Sequence, residues 1–301
     1  MLACLEGAVI AAVLALTAMG LSIVFGVMRV VNVAHGEFFM LGAVMAWFVT
    51  YAIGGHPALG FVAALLIAPL LVSFIAAAAD TFILKHIKYD PDRTIVATIG
   101  LLYFFQQGTL MTFGPDARPV EAPFNHRLAL PWIENGESGL QMFWPWGLSI
   151  TSYKLFVIVA AVVVLMGLWA LITRTKIGLI MRATQQDSEM AQAFGIPVGR
   201  VYSLVFGLGA ALAALGAVLV VPIQQAHYLM GGEPLLLAFI VVIIGGLGSL
   251  PGTVVAAVLI GMSDGIISVF FSPMIAKIIA TLFVTMVLIW RPQGLFGKVI
   301  R

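Results

Sequence analysis

Apolar runs close to twenty residues long recur from one end of this 301-residue chain to the other. A helix needs about 20 residues to cross the hydrocarbon layer of a bilayer, and in lipid each segment must satisfy its own backbone N–H and C=O groups. The runs lie at about 8–28, 37–53, 59–79, 94–113, 154–173, 201–221, 235–250, 252–272 and 275–291. They predict eight or nine crossings, because 235–250 is short and enters the glycine-rich GGLGSLPG, which reads as a broken or re-entrant helix. The expected fold is therefore an all-α polytopic membrane protein, a single transmembrane domain over 1–301. A β-barrel would show short alternating segments instead.

Composition agrees. Hydrophobic residues make up 62% of the chain and charged residues 9%, with a mean hydropathy of +1.11; a soluble domain is nearer a quarter charged. A formal net charge of +2 gives no basis for nucleic-acid binding. The single cysteine, Cys4, excludes an internal disulfide and a multi-cysteine metal site. The five histidines (His35, His56, His86, His126, His227) are scattered without ligand spacing, so neither a metal site nor an enzymatic constellation is expected. Glu6 is the sole charge before the first apolar run, unlike the basic start of a cleaved signal peptide.

Lysine and arginine set the orientation. With nine alternating segments and residues 174–200 inside, Arg29, Lys85, Lys88, Arg93, Arg174, Lys176, Arg182, Arg200, Arg291, Lys298 and Arg301 face the cytoplasm. Arg118, Arg127, Lys154 and Lys277 face the exterior, 11 against 4 of the 15 in the chain. The amino terminus is expected outside and the carboxyl terminus inside. Residues 114–150 then form an external loop with Asp116, Glu121, Glu134, Glu137, Trp132, Trp144 and Trp146, and FWPWG (143–147) suits the lipid–water boundary as an interfacial anchor.

Three stretches break the apolar pattern. In VVNVAHGEFFMLGA (30–43), Asn32, His35 and Glu37 fall within six residues, split by Gly36. If 32–39 is helical, Asn32, His35, Gly36 and Phe39 share one face and Glu37 lies on the stripe of Arg29 and Val33. An ionisable group at membrane depth costs a few kcal/mol and is retained where it faces a cavity, a partner helix or an opposite charge. Two readings stand here: a break lining a solute passage, or a boundary turn in which Glu37 meets Arg29.

The second stretch, 174–200, is the long polar interval on the inside. MRATQQDSEMAQAF within it has the period of a short amphipathic helix, with Met181, Ala183, Met190, Ala193 and Phe194 on its apolar side and Gly195-Ile196-Pro197 ending it. Such a helix outside the bilayer buries that side on lipid or in a groove of another protein. Asp187 and Glu189 disfavour anionic lipid, so a protein partner is expected.

The third, IVVIIGGLGSLPGTVVAAVLIG (240–261), packs Gly245, Gly246, Gly248, Ser249 and Gly252 around Pro251. Its freed backbone groups need other helices or a wet cavity. Close helix packing explains Gly252 and Ala256 but not Pro251 with Ser249. HGEFFMLGAV (35–44) and GSLPGTVVAA (248–257) also share a break-then-helix pattern, of the kind that marks a substrate path in transporters built from repeats. Asp264 is a further intramembrane carboxylate, with Lys277 its expected ion-pair partner.

GLSIVFGVMRVVNVAHGEFFMLGA (20–43), AQAFGIPVGRVYSLVFGLGAALAALGAVL (191–219), IIGGLGSLPGTVVAAVLIG (243–261) and RPQGLFG (291–297) together resemble the branched-chain amino-acid ABC transporter permease family, its shorter paired permease subunit in particular. The resemblance implies an importer fold in the bacterial inner membrane. It implies a second permease subunit as partner, two ATP-binding subunits that hold ATP and magnesium, and a periplasmic binding protein that delivers the solute. Solutes of the family include branched-chain and other amino acids, amides, urea and aromatic acids. On this reading Asn32, His35, Gly36, Glu37, Phe39, Gly245, Gly246, Gly248, Ser249 and Gly252 line the passage. Arg182, Asp187, Glu189, Ala191, Phe194, Gly195, Ile196 and Pro197 form the loop that couples to an ATPase. The chain carries no GxxxxGK[ST] phosphate loop of its own and no cofactor is expected in it. The alternative is an ATP-independent channel or facilitator for urea or an amide, which would not need a partner-shaped loop helix.

Overall fold

The computed structural model describes residues 2–129, 132–136, 139–143, 149–270, 275, 278–279, 282, 286 and 294–296. Ten α-helices appear in this order: α1 (Leu2–Met28), α2 (His35–Ile53), α3 (Pro57–Ala79), α4 (Pro91–Phe113), α5 (Ser152–Arg174), α6 (Lys176–Gln186), α7 (Ser188–Ala193), α8 (Val198–Gln224), α9 (Gly232–Gly245) and α10 (Leu250–Phe270). A π-helical turn, Asp80–Leu84, prolongs α3. Seven of these (α1, α2, α3 with its π turn, α4, α5, α8 and α10) are long and apolar enough to cross a membrane. At 14 residues, α9 spans about 21 Å and falls short of a crossing, so the 235–250 run is a partial helix. The run at 275–291 lies, apart from isolated positions, outside the described residues.

Local chemistry starts several helices. Pro91 sits at the first position of α4, where its missing N–H costs nothing, and the Asp90 carboxylate accepts from Arg93 N at 3.0 Å. In the bundle, α1 and α8 run antiparallel at the centre, with Gly20 against Gly209 and Thr17 beside Gly216. In their apolar spans, 72% of α1 and 78% of α8 is buried, against 22% for α4 and for α5, which lie at the periphery. α10 runs antiparallel to α1 on another side, Gly261 packing on Gly7 and Ala11. α2 and α3 close around α8, where Phe38 meets Phe206 edge-on at 5.7 Å and Gly42 lies on Ala214.

These contacts define two ends. At one, Glu6 pairs with Lys154, and Arg118 and Ala226 exchange backbone hydrogen bonds of 2.7 and 2.8 Å. The 114–150 loop at this end carries two short antiparallel ribbons, β1 (Arg127–Ala129) with β4 (Ser149–Thr151) and β2 (Trp132–Gly136) with β3 (Gly139–Phe143). Of FWPWG, Phe143 ends β3, and the other four residues lie outside the described residues, as does Glu137. At the opposite end gather Arg29, the 85–90 turn, α6, α7 and the turn between α9 and α10.

Candidate functional site

The first polar break folds differently from a continuous helix. The chain leaves α1 at Met28, with Arg29 in the left-handed region at φ 56°, and turns back into the bundle before α2 begins at His35. Asn32 therefore lies in the turn and not on a helical face with His35, Gly36 and Phe39. Its side-chain oxygen accepts from Ala34 N at 3.1 Å, an Asx turn that competes with helix. Val33 N donates to Thr98 Oγ1 of α4 at 3.2 Å. His35 lies 2.9 Å from the Thr17 carbonyl through Nε2; a carbonyl only accepts, so Nε2 carries the proton. That bond ties the start of α2 to the middle of α1, well inside the bundle.

Asn32, His35 and Glu37 are buried, while among the described residues His35 Nδ1 and Glu37 Oε2 have no hydrogen-bond partner. Arg29 does not answer Glu37: its guanidinium donates to the Gln185 carbonyl at 3.3 Å. Gly36 meets the start of α9, where a β-carbon would overlap the Gly231 carbonyl oxygen. Phe39 is buried and borders Gly216. Two helix starts, those of α2 and α9, thus meet inside the protein at a glycine-to-glycine contact.

The second break is built from glycine backbone. α9 ends at Gly245; Gly246 (φ 99°) and Gly248 (φ 76°) reverse the chain through positive-φ conformations that favour glycine. Ser249 then caps α10, its Oγ accepting from Gly252 N at 3.4 Å, and Pro251 sits in the first turn, where no N–H is required. The Ser249–Pro251 pair is thereby accounted for as a helix start. A β-carbon on Gly245 would lie 2.6 Å from the Gly252 carbonyl carbon, and Gly252 in turn abuts the Gly245 carbonyl oxygen. From RPQGLFG, Leu295 N donates to Ile244 O at 2.6 Å and Phe296 N to Gly245 O at 3.2 Å, satisfying the carbonyls that end α9. α1–α2 and α9–α10 share a plan: one helix descends to the same end, breaks, and the next returns in the same direction.

The 174–200 segment is two helices, not one. Asp187 is extended (φ −154°, ψ 107°) and its Oδ1 accepts from Glu189 N at 3.0 Å and Met190 N at 2.9 Å, which ends α6 and begins α7. The expected apolar face is divided by this turn. Met181 and Ala191 are buried against the bundle, while Met190 is 56% and Phe194 83% exposed. Ala191 is therefore a docking residue of the segment and not part of its outer face. Arg182 donates to the Ile172 carbonyl at the end of α5, and Gly178 abuts the same carbonyl so closely that no side chain fits. Gly195 (φ 82°) ends α7, and Ile196 N reaches back to Ala191 O at 3.0 Å before Pro197 leads into α8.

The second and third stretches meet here at the end of α1. Gln185 of α6 lies against Gly26 of α1 and Gly248 of the second break, around a narrow void of about 20 Å³ that Ser22, Arg182 and Leu250 also line. α6 thus touches both the turn between α9 and α10 and the end of α1. Among the described residues, no three His, Cys, Asp or Glu side chains gather as metal ligands. Asp264 sits in α10; Lys277 lies outside the described residues.

Sequence reasoning passed over one cluster. Asp80, fully buried in the π turn, accepts from Ser203 Oγ of α8 at 2.5 Å and from the Tyr89 hydroxyl at 3.4 Å, leaving Oδ1 without a partner among the described residues. Tyr89 packs edge-on against Tyr202 at 4.7 Å, and burial together with the neighbouring carboxylate raises its hydroxyl pKa. The signal was present: a lone aspartate closing the apolar run IAAAAD. Thr17, the partner of His35, left no such mark among its aliphatic neighbours.

The family described as "Branched-chain amino acid transport system / permease component" matches residues 3–290. The high-affinity branched-chain amino acid transport system permease protein BraD of Pseudomonas aeruginosa is 26% identical over 97% of this chain and 94% of its own length. The corresponding LivH protein of Escherichia coli K12 is 25% identical with the same coverage. A probable branched-chain amino acid transport permease protein of Methanocaldococcus jannaschii is 24% identical over 97% of this chain and 91% of its own. No solved structure matches the chain.

Proposed function

The chain belongs to the branched-chain amino acid transport permease family, and from that premise we propose that it forms half of the translocation passage of an ATP-driven importer. It is a multi-pass membrane permease subunit of an ABC transport system and performs no covalent chemistry. Its solute is a branched-chain amino acid or a related small polar molecule, delivered by a periplasmic binding protein. A second permease subunit completes the passage, and two ATP-binding subunits hold ATP and magnesium.

The observation that carries this reading is the 174–200 segment. Its inner side is seated on Gly26 and Gly248 through Gln185, and its outer side presents Met190 and Phe194 to whatever lies beyond. A facilitator has no use for such a lever. Charge supports a cytoplasmic position for that end. It holds Arg29, Lys85, Lys88, Arg93, Arg174, Lys176, Arg182 and Arg200, whereas Arg118, Arg127 and Lys154 sit at the other. The amino terminus then lies outside and the carboxyl terminus inside, in a bacterial inner membrane.

Within the passage, the Asn32–Phe39 break and the Gly245–Gly252 turn are the parts that must open. Buried glycine-to-glycine contacts rearrange without dragging side chains, and His35, Glu37 and Asn32 supply polar groups to a solute once the contact of Gly36 with Gly231 parts. The test is reconstitution in vesicles with the partner subunits. Uptake that requires ATP and the binding protein, and that fails with Phe194→Asp together with loss of the co-purifying ATPase, supports the reading. Uptake by this chain alone, without ATP, overturns it.

A further inference from the structure

The end of α1 and the α6–α7 junction enclose a polar cleft that neither helix packing nor the coupling role explains. Its volume is about 290 Å³, at the small end of the ~300–1000 Å³ range of small-molecule sites. Val27, Arg29, Thr184, Asp187, Glu189 and Tyr202 are among its lining residues, with Gln186 and Ser188. Three features set it apart from an ordinary surface groove. Thr184 is 2% exposed and lines the cleft, and among the described residues its hydroxyl has no hydrogen-bond partner, an uncompensated cost for a buried polar group. Arg29 is held in a left-handed conformation that a side-chain-bearing residue adopts only under constraint, φ 56°. Its backbone N–H is fixed to Phe25 O at 2.9 Å, and its guanidinium makes one bond of 3.3 Å to Gln185 O, leaving most of its five donors for a ligand. Asp187 is likewise fixed, because Oδ1 caps α7.

A cation, two carboxylates and hydroxyls around one small cleft match a molecule bearing both charges. We propose that this cleft binds the zwitterionic head group of an α-amino acid, its carboxylate on Arg29 and its ammonium on Asp187 and Glu189, with Thr184 and Tyr202 completing the polar contacts. A planar guanidinium takes a carboxylate in bidentate fashion. The side chain of the ligand has only Val27 and the Tyr202 ring to meet, so the site reads the head group more than the side chain. The inference rests on the transport reading. It adds a product site on the cytoplasmic side, where an occupant bridges α1 to the coupling segment and holds the two together against the movement that drives the passage.

The test uses the purified permease–ATPase complex without binding protein. L-Leucine is titrated beside 4-methylpentanoate, which lacks the ammonium, and 3-methylbutylamine, which lacks the carboxylate. Leucine is expected to bind saturably, and each analogue about ten-fold more weakly or worse, since each forfeits one charge-assisted contact. Arg29→Gln is expected to weaken leucine binding by about ten-fold, and Thr184→Val by about three-fold, the loss of one neutral hydrogen bond. With the unmodified protein, photo-leucine should cross-link within 27–29 or 184–189. Equal binding of all three compounds, or cross-links confined elsewhere, overturns the assignment. Uptake in the same preparation separates the two readings: ATP-driven leucine import with no saturable binding to the complex overturns the cleft site alone. Saturable binding mapped to the cleft without ATP-driven import of any amino acid overturns the transport reading instead.

Discussion

The breaks before α2 and before α10 do the same geometric job by opposite means. The first is held by side chains: Asn32 to Ala34 N, Thr98 to Val33 N, His35 to the Thr17 carbonyl. The second is held by the absence of side chains, with Gly245 and Gly252 in backbone contact and Gly246 and Gly248 in conformations that side-chain-bearing residues rarely adopt. One break is specified by hydrogen bonding and retains spare polarity at Glu37 Oε2 and His35 Nδ1. The other is specified by volume. A break of the first kind can present chemistry to a solute; a break of the second kind is built to act as a hinge on the proposed reading. Substitutions should therefore sort by volume at one and by hydrogen-bonding capacity at the other.

The largest effect is expected from Gly252→Val. Its side chain would be driven into the Gly245 carbonyl, costing about 3 kcal/mol or more, and the measured outcome is loss of assembled complex on size-exclusion chromatography. If Gly252→Val assembles normally, the hinge description of the second break fails. His35→Leu, of similar bulk, should cost about 1–2 kcal/mol through the lost bond to α1, read as a lower melting temperature. His35→Gln retains a donor and should recover part of it; equal melting of the two would mean that packing alone holds the first break. Ser249→Ala removes a helix cap and should cost about 1 kcal/mol, while uptake per assembled complex stays near normal. A large loss of uptake at full assembly would instead make Ser249 a solute contact and erase the distinction between the breaks.

Much of this architecture was legible in the amino-acid order, because lipid leaves a helix few ways to satisfy its backbone. The apolar runs marked the spans, and the shortness of 235–250 marked α9 as partial. What was not legible depended on long-range contacts or on single side chains overriding a period. Residues 181–194 keep a helical period through Asp187, yet its carboxylate caps α7 and splits the segment. Ala191 and Phe194 both belong to the loop expected to couple to a partner, but the bundle covers Ala191 and leaves Phe194 exposed. Asn32 fits a helical stripe, but its Asx turn delays α2 until His35. Ser249 and Pro251, set apart as unexplained by packing, are a helix start that becomes plain once the turn at Gly246–Gly248 is seen.

The division of labour is tested most directly at Phe194. In a Cys4→Ser background, Phe194→Cys carries a short photoactivatable maleimide, and the assembled complex is irradiated in membranes. The account predicts an adduct with an ATP-binding subunit, its yield changing when ATP is added. An adduct with lipid alone, in membranes that still import the solute, would contradict it.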